Sequence, residues 1–203
     1  MCRWLFILVA LIGLALPAQA ITPAQKGATL PKNWLSYLQP NLLLSPTTFS
    51  NSPTWATSNL TLSSKQNVAP RSDAWKFQAT TTGTLRNLQQ GTGQANNSVY
   101  RFCVIAHAGT VSWIIISSLA NTGADGAVWF NLATGVAGTV QGAGVSAAPS
   151  VALGSGWFLL CTNTATTTVT NNNVRIYIAD NDNDITVTAG DNIYVLGAQL
   201  VKR

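Results

Sequence analysis

The sequence predicts an all-β protein built as one sandwich or barrel domain. Three observations carry that expectation. Charged residues make up only 8% of the 203-residue chain and apolar residues 47%, whereas an ordinary soluble domain is roughly 25% charged. Helix formers are scarce beside the abundant Thr, Val, Ser, Asn and Gly, and glutamate does not occur, a balance that favours strands and turns. Clusters rich in Asn and Gly at 91–97, 121–126, 142–144, 154–156, 171–173, 181–183 and 190–192 punctuate the chain at the spacing of short strands.

The first twenty residues stand apart. Arg3 precedes an apolar run from Trp4 to Leu16, Pro17 breaks the helix, and Ala18-Gln19-Ala20 places small residues where a signal peptidase reads. This is the pattern of a secretory signal peptide, an apolar N-terminal helix either removed after Ala20 or retained and buried in an oligomer stalk or against a partner. The run is shorter than the roughly 20 residues of a spanning helix. Residues 21–40 carry Pro23, Pro31 and Pro40 and read as a linker or arm. Within them Trp34, Leu35, Tyr37 and Leu38 form a short apolar turn suited to packing on the domain or on a partner chain.

From residue 41 to 203 the chain reads as one domain of strands. The expected strands are 41–44, 59–63, 74–80, 84–89, 98–107, 111–119, 127–133, 136–141, 157–166, 174–179, 184–188 and 192–201. In 174–178, Val174, Ile176 and Ile178 alternate with Arg175 and Tyr177, which gives one buried face and one wetter face. Trp113-Ile114-Ile115-Ile116 is apolar without alternation, as in a strand covered on both sides.

Composition also removes function classes. All six acidic residues are aspartates, so chemistry that relies on glutamate is excluded. A single histidine, His107, excludes a multi-histidine metal site. His107 has no G-x-S-x-G nucleophile elbow to serve, and a strand-end histidine facing water is the expectation. The net charge of +5 comes from scattered Lys and Arg with no basic run, which predicts a mildly basic surface and no nucleic-acid partner.

An ordered set of residues resembles a known family. Asn41-Leu42-Leu43 with Phe49-Ser50 and Trp55, Tyr100-Arg101-Phe102 through Ala108-Gly109, Ser112-Trp113, Phe130-Asn131-Leu132 with Thr134-Gly135, Gly156-Trp157-Phe158 through Cys161, Val174-Arg175-Ile176-Tyr177 and Gly197-Ala198-Gln199-Leu200 follow one another. Together they resemble the carbohydrate-binding-module-like jelly-roll domain of bacteriophage virion proteins, such as head or tail fibres and decoration subunits. The resemblance spans residues 41–203. It implies an antiparallel jelly-roll β-sandwich of the concanavalin and carbohydrate-binding-module type, with no catalytic residues. The setting it implies is a virion surface, with a homo-oligomer, trimeric in many fibres, among other virion proteins and in contact with host cell-surface glycans. The leader points instead to an exported bacterial lectin-like protein.

Candidate site residues follow from chemistry. A flat indole matches the C–H face of a sugar ring, and Trp55 and Trp75, flanked by polar residues, are the tryptophans expected to stack on one. Trp113, Trp129 and Trp157 lie in apolar runs and are assigned to packing. Asp180, Asp182 and Asp184 alternate in a short loop that could wrap a structural Ca²⁺. The same run also suits a polar turn built from Asx side chains, and no other cofactor is expected. Cys103 and Cys161 form an even pair once Cys2 is removed with the leader. They are read either as a disulfide or as two buried thiols, and their spacing forces neither.

Overall fold

The structure, a computed structural model, describes residues 41–203 apart from 45, 51–53, 85, 120–125 and 167–171. The expected leader (1–20) and arm (21–40) lie outside the described residues.

Two antiparallel sheets face each other as a jelly-roll sandwich. The first contains β1 (Ala56–Ser58), β4 (Asn87–Gly91), β12 (Asn173–Ala179), β6 (Trp113–Leu119), β7 (Gly126–Asn131) and β8 (Ala137–Gln141), in that spatial order. The second runs β10 (Val151–Gly154), β11 (Trp157–Thr166), β5 (Ser98–Ala108), β13 (Asn192–Lys202), β3 (Arg71–Ala79) and β2 (Leu60–Val68). There β9 (Val145–Ala147) pairs with β11 as well. The chain crosses repeatedly between the sheets, so strands distant in sequence become neighbours at the centre of each.

Period-two alternation places the core. Ile114 and Ile116 of β6, Val174, Ile176 and Ile178 of β12, and Val104 and Ala106 of β5 all point between the sheets. Ile115 points the opposite way, into a second cluster with Ala127, Trp129, Tyr177 and Ala179 on the outer side of the six-stranded sheet. The unbroken apolar run in β6 is therefore buried on both faces, as its pattern predicts.

Differences from the expected strands have local causes. Residues 41–44 form no strand. The Asn41 side chain accepts from the Leu43 and Leu200 amides at 3.1 and 3.0 Å and donates to the Ala198 carbonyl at 3.3 Å, pinning the segment beside β13. Residues 184–188 reduce to one bridge, Val187 with Gly83. The short strands β1, β9 and β10 occupy three or four residues each, too few to show a period. Arg86 is buried and donates to the Thr81 carbonyl (2.9 Å), the Thr81 hydroxyl (2.7 Å) and the Thr82 carbonyl (2.7 Å), so a cation is held by neutral oxygens.

Cys103 and Cys161 sit directly opposite each other on β5 and β11 and are joined as a disulfide across 58 residues of sequence. A cross-link closing a loop of that size restricts the unfolded chain, and replacing both cysteines with alanine is expected to lower stability by about 2–4 kcal/mol. Denaturant unfolding of the double variant checks this, with a lower extrapolated stability and a larger m-value as the released chain expands.

Candidate functional site

Phe49 precedes the first strand and is fully buried. Its ring meets Trp55 at 5.3 Å, Phe77 at 5.3 Å and Trp75 at 6.1 Å between centroids, each edge to face. These are the tilted contacts that aromatic quadrupoles favour. The three partners differ in access. Phe77 and Trp55 are interior, with Trp55 only 1% exposed, while Trp75 lies partly open at the rim.

This corrects one of the two expected stacking residues. Trp55 has polar neighbours in sequence, but Phe49 folds over it, and a ring with no accessible face cannot take a sugar. Trp75 is half-buried. It lies on the core-facing side of β3 with Phe77, and its indole N–H donates to the Thr47 carbonyl at 3.1 Å. That bond and the Phe49 edge fix the ring plane from two directions.

Trp75 forms a wall of an open groove of about 440 Å³, with Ser50, Leu60, Thr61, Leu62 and Ser64 around it. Two of these residues are aliphatic and three carry hydroxyls. None is charged. The lining is thus mixed, with polar and apolar surface in similar shares. The sequence singled out Trp75 but none of these neighbours. Leu60 and Leu62 show period two with Phe77 across the ladder, yet the hydroxyls of Ser50 and Ser64 reach the groove only through the fold of the 46–50 segment and the irregular pairing of β2 after Ser63.

The aspartate run serves the loop between β12 and β13. Asp182 Oδ1 accepts from the Thr139 amide of β8 at 2.8 Å, and Asp184 Oδ1 accepts from the Thr186 amide at 2.8 Å. A Cβ added at Gly138 would stand 2.4 Å from Asp182 Oδ1, so glycine is what admits the carboxylate to that edge. The Asp184 carbonyl accepts from the Trp129 indole at 3.0 Å, which closes the loop over the outer cluster. Among the described residues no three His, Cys or Asp side chains converge as metal ligands. Asp182 and Asp184 each give one carboxylate oxygen to a backbone amide, whereas a calcium ion takes six to eight oxygens around one point. Asp184 bonds locally, as Asx side chains do in turns, while Asp182 ties the loop across to β8.

His107 lies in a row of outward side chains, 5.2 Å from the Trp157 ring and 6.3 Å from Tyr194. Its Nδ1 is 2.5 Å from the Ala108 carbonyl, and no carboxylate takes part in that contact.

No protein-family model and no curated protein matches the chain. Among solved structures, it is similar to a family 61 carbohydrate-binding module solved in complex with β-1,4-galactotriose, at 14% identity and a TM-score of 0.47, covering 81% of this chain and 100% of that one. It is also similar to a family 4 carbohydrate-binding module, at 16% identity and a TM-score of 0.44, covering 79% and 99%.

The backbone and hydroxyl of Thr186 hold the Asp184 carboxyl below the usual carboxylate range. The folded loop thus binds a proton less readily than the unfolded chain. The resulting stabilisation is complete above the ordinary value of about 3.9 and is lost as pH falls through the lowered one. The Trp129 indole N–H resonance, followed by NMR during acidification, is expected to move with a midpoint below about 3.9. A midpoint at or above that value contradicts the assignment.

Proposed function

We propose that this chain is a non-enzymatic carbohydrate-binding β-sandwich whose ligand stacks on Trp75. The observation that carries the reading is the fixed indole at the wall of an uncharged, hydroxyl-bearing groove. An apolar ring face beside hydroxyls matches a neutral saccharide, with its C–H face and its rim of O–H groups. A glycosidase on the same groove would need two carboxyl groups about 5–10 Å apart across the bond to be cleaved, and the groove's lining supplies none.

The setting we propose is a bacteriophage surface, with the sandwich as a fibre or decoration subunit, homo-oligomeric and docked to other virion proteins. Its support is the ordered sequence resemblance over residues 41–203. The leader-like pattern of residues 1–20 favours the second reading, an exported bacterial lectin-like protein. Intact mass of the native protein separates the two. A start at Ile21 in culture fluid supports export, and a mass that retains residues 1–20 in purified particles supports the virion.

Trp75→Ala is expected to weaken retention on the recognised polysaccharide by about tenfold, near 1.4 kcal/mol, with the circular dichroism of the native fold unchanged. Affinity electrophoresis through gels containing soluble neutral glycans measures it, and unchanged retention defeats the stacking role. Trp55→Ala acts on the core instead, lowering stability by about 3–5 kcal/mol.

A further inference from the structure

The outer face of the seven-stranded sheet is apolar where a solvated sheet would be polar. Two rows cross it in register. Trp157, His107, Tyr194 and Lys76 face one another along the first, and Val151, Leu159 and Ile105 along the second. Leu196, displaced outward by the irregularity between Val195 and Gly197, and Leu153 join the cluster. Ile105 and Trp157 are buried, Leu153, Leu159, Tyr194 and Leu196 are half-buried, and Val151 is 39% exposed. A contiguous apolar patch of this kind marks a contact surface.

We propose that the chain's own residues 34–38, carrying Trp34, Leu35, Tyr37 and Leu38, seat on this face. The argument is where the chain leaves the sandwich and how far it can reach. Asn41 is bonded to Ala198 and Leu200 of β13, the strand that carries Tyr194 and Leu196 across the patch. Leu43 turns into the core while Leu42 and Leu44 stay exposed, so the segment alternates between inside and outside as it leaves the sheet. Seven residue steps lead from Asn41 back to Trp34, an extended reach of about 23 Å at roughly 3.3 Å each. From β13, β11 and β10 are two and three strands away, about 10 and 14 Å, within the arm's extended reach. Residues 33–41 carry no charge, which suits a face whose two rows carry Lys76 as their one lysine or arginine. A tethered segment also meets the face at a high effective concentration, an advantage that a second copy lacks.

Hydrogen exchange read by mass spectrometry on the full chain tests the seat. Amides of 34–38 are expected to exchange at least tenfold more slowly than unprotected peptide, independently of protein concentration. The double variant Val151→Asn with Leu159→Asn is expected to abolish that protection while the central strands β5 and β6 keep theirs. As a reciprocal check that leaves the sandwich untouched, Trp34→Ser with Leu38→Ser is expected to speed exchange in Val151–Gly154. Exchange of 34–38 at the unprotected rate in the unmodified chain overturns the proposal. So does protection that disappears on tenfold dilution, which assigns the arm to a second copy. Protection that survives the face variant places the arm elsewhere and overturns it equally.

Discussion

Phe49 is the residue on which both the core and the groove depend. Three aromatic side chains, two from β3 and one from the segment before β1, meet its ring. With Phe77 and Trp55 packed beneath it, Phe49 closes the sandwich at this end and so removes Trp55 from solvent. Through its edge contact with Trp75 and the neighbouring Thr47 carbonyl, it also holds the exposed indole in one orientation. A ring whose orientation is already fixed loses little conformational freedom on binding, which is how preorganisation raises affinity without new contacts. The groove is therefore an extension of the core rather than a surface loop added to it.

Burial on more than one face explains the low charge content. In a sandwich with solvated outer faces, half of each strand would be polar. Here the outer side of the six-stranded sheet carries its own buried cluster, sealed by the bond between Trp129 and the Asp184 carbonyl. The outer side of the seven-stranded sheet carries a further apolar cluster, with the Cys103–Cys161 disulfide beside it. These covered outer faces take strand positions away from charged residues, and the exposed turns are filled largely by uncharged Thr, Ser, Asn and Gly.

Long strands with clear periodicity were legible in the sequence. The runs that became β5, β6, β11, β12 and β13 differ from expectation by a residue or two at their ends, where pairing rather than composition sets the limit. Short strands were not legible, because three or four residues such as Val145–Ala147 contain too little pattern. Trp55 and Trp75 have similar polar flanks, and what separates them is whether Phe49 lies above or beside the ring, a contact between segments that local sequence does not encode. The A-D-N-D-N-D run carried two meanings, ion loop and turn. Two of its carboxylates accept from backbone amides, Asp184 within the turn and Asp182 from β8.

That use of the aspartates bears on recognition. With Asp182 and Asp184 committed to the loop between β12 and β13, and no charged side chain lining the groove, nothing at the groove steers an ion towards it. Discrimination between ligands must then come from the shape of the Trp75 wall and from hydroxyl pairing at its rim, which favours uncharged saccharides with an unobstructed ring face. One indole and a few hydroxyls give a single site modest affinity. Several copies displayed on one assembly would convert weak contacts into firm attachment through effective concentration. On the proposed reading, the binding chemistry and the homo-oligomer are therefore linked: a groove this simple becomes effective when it is repeated.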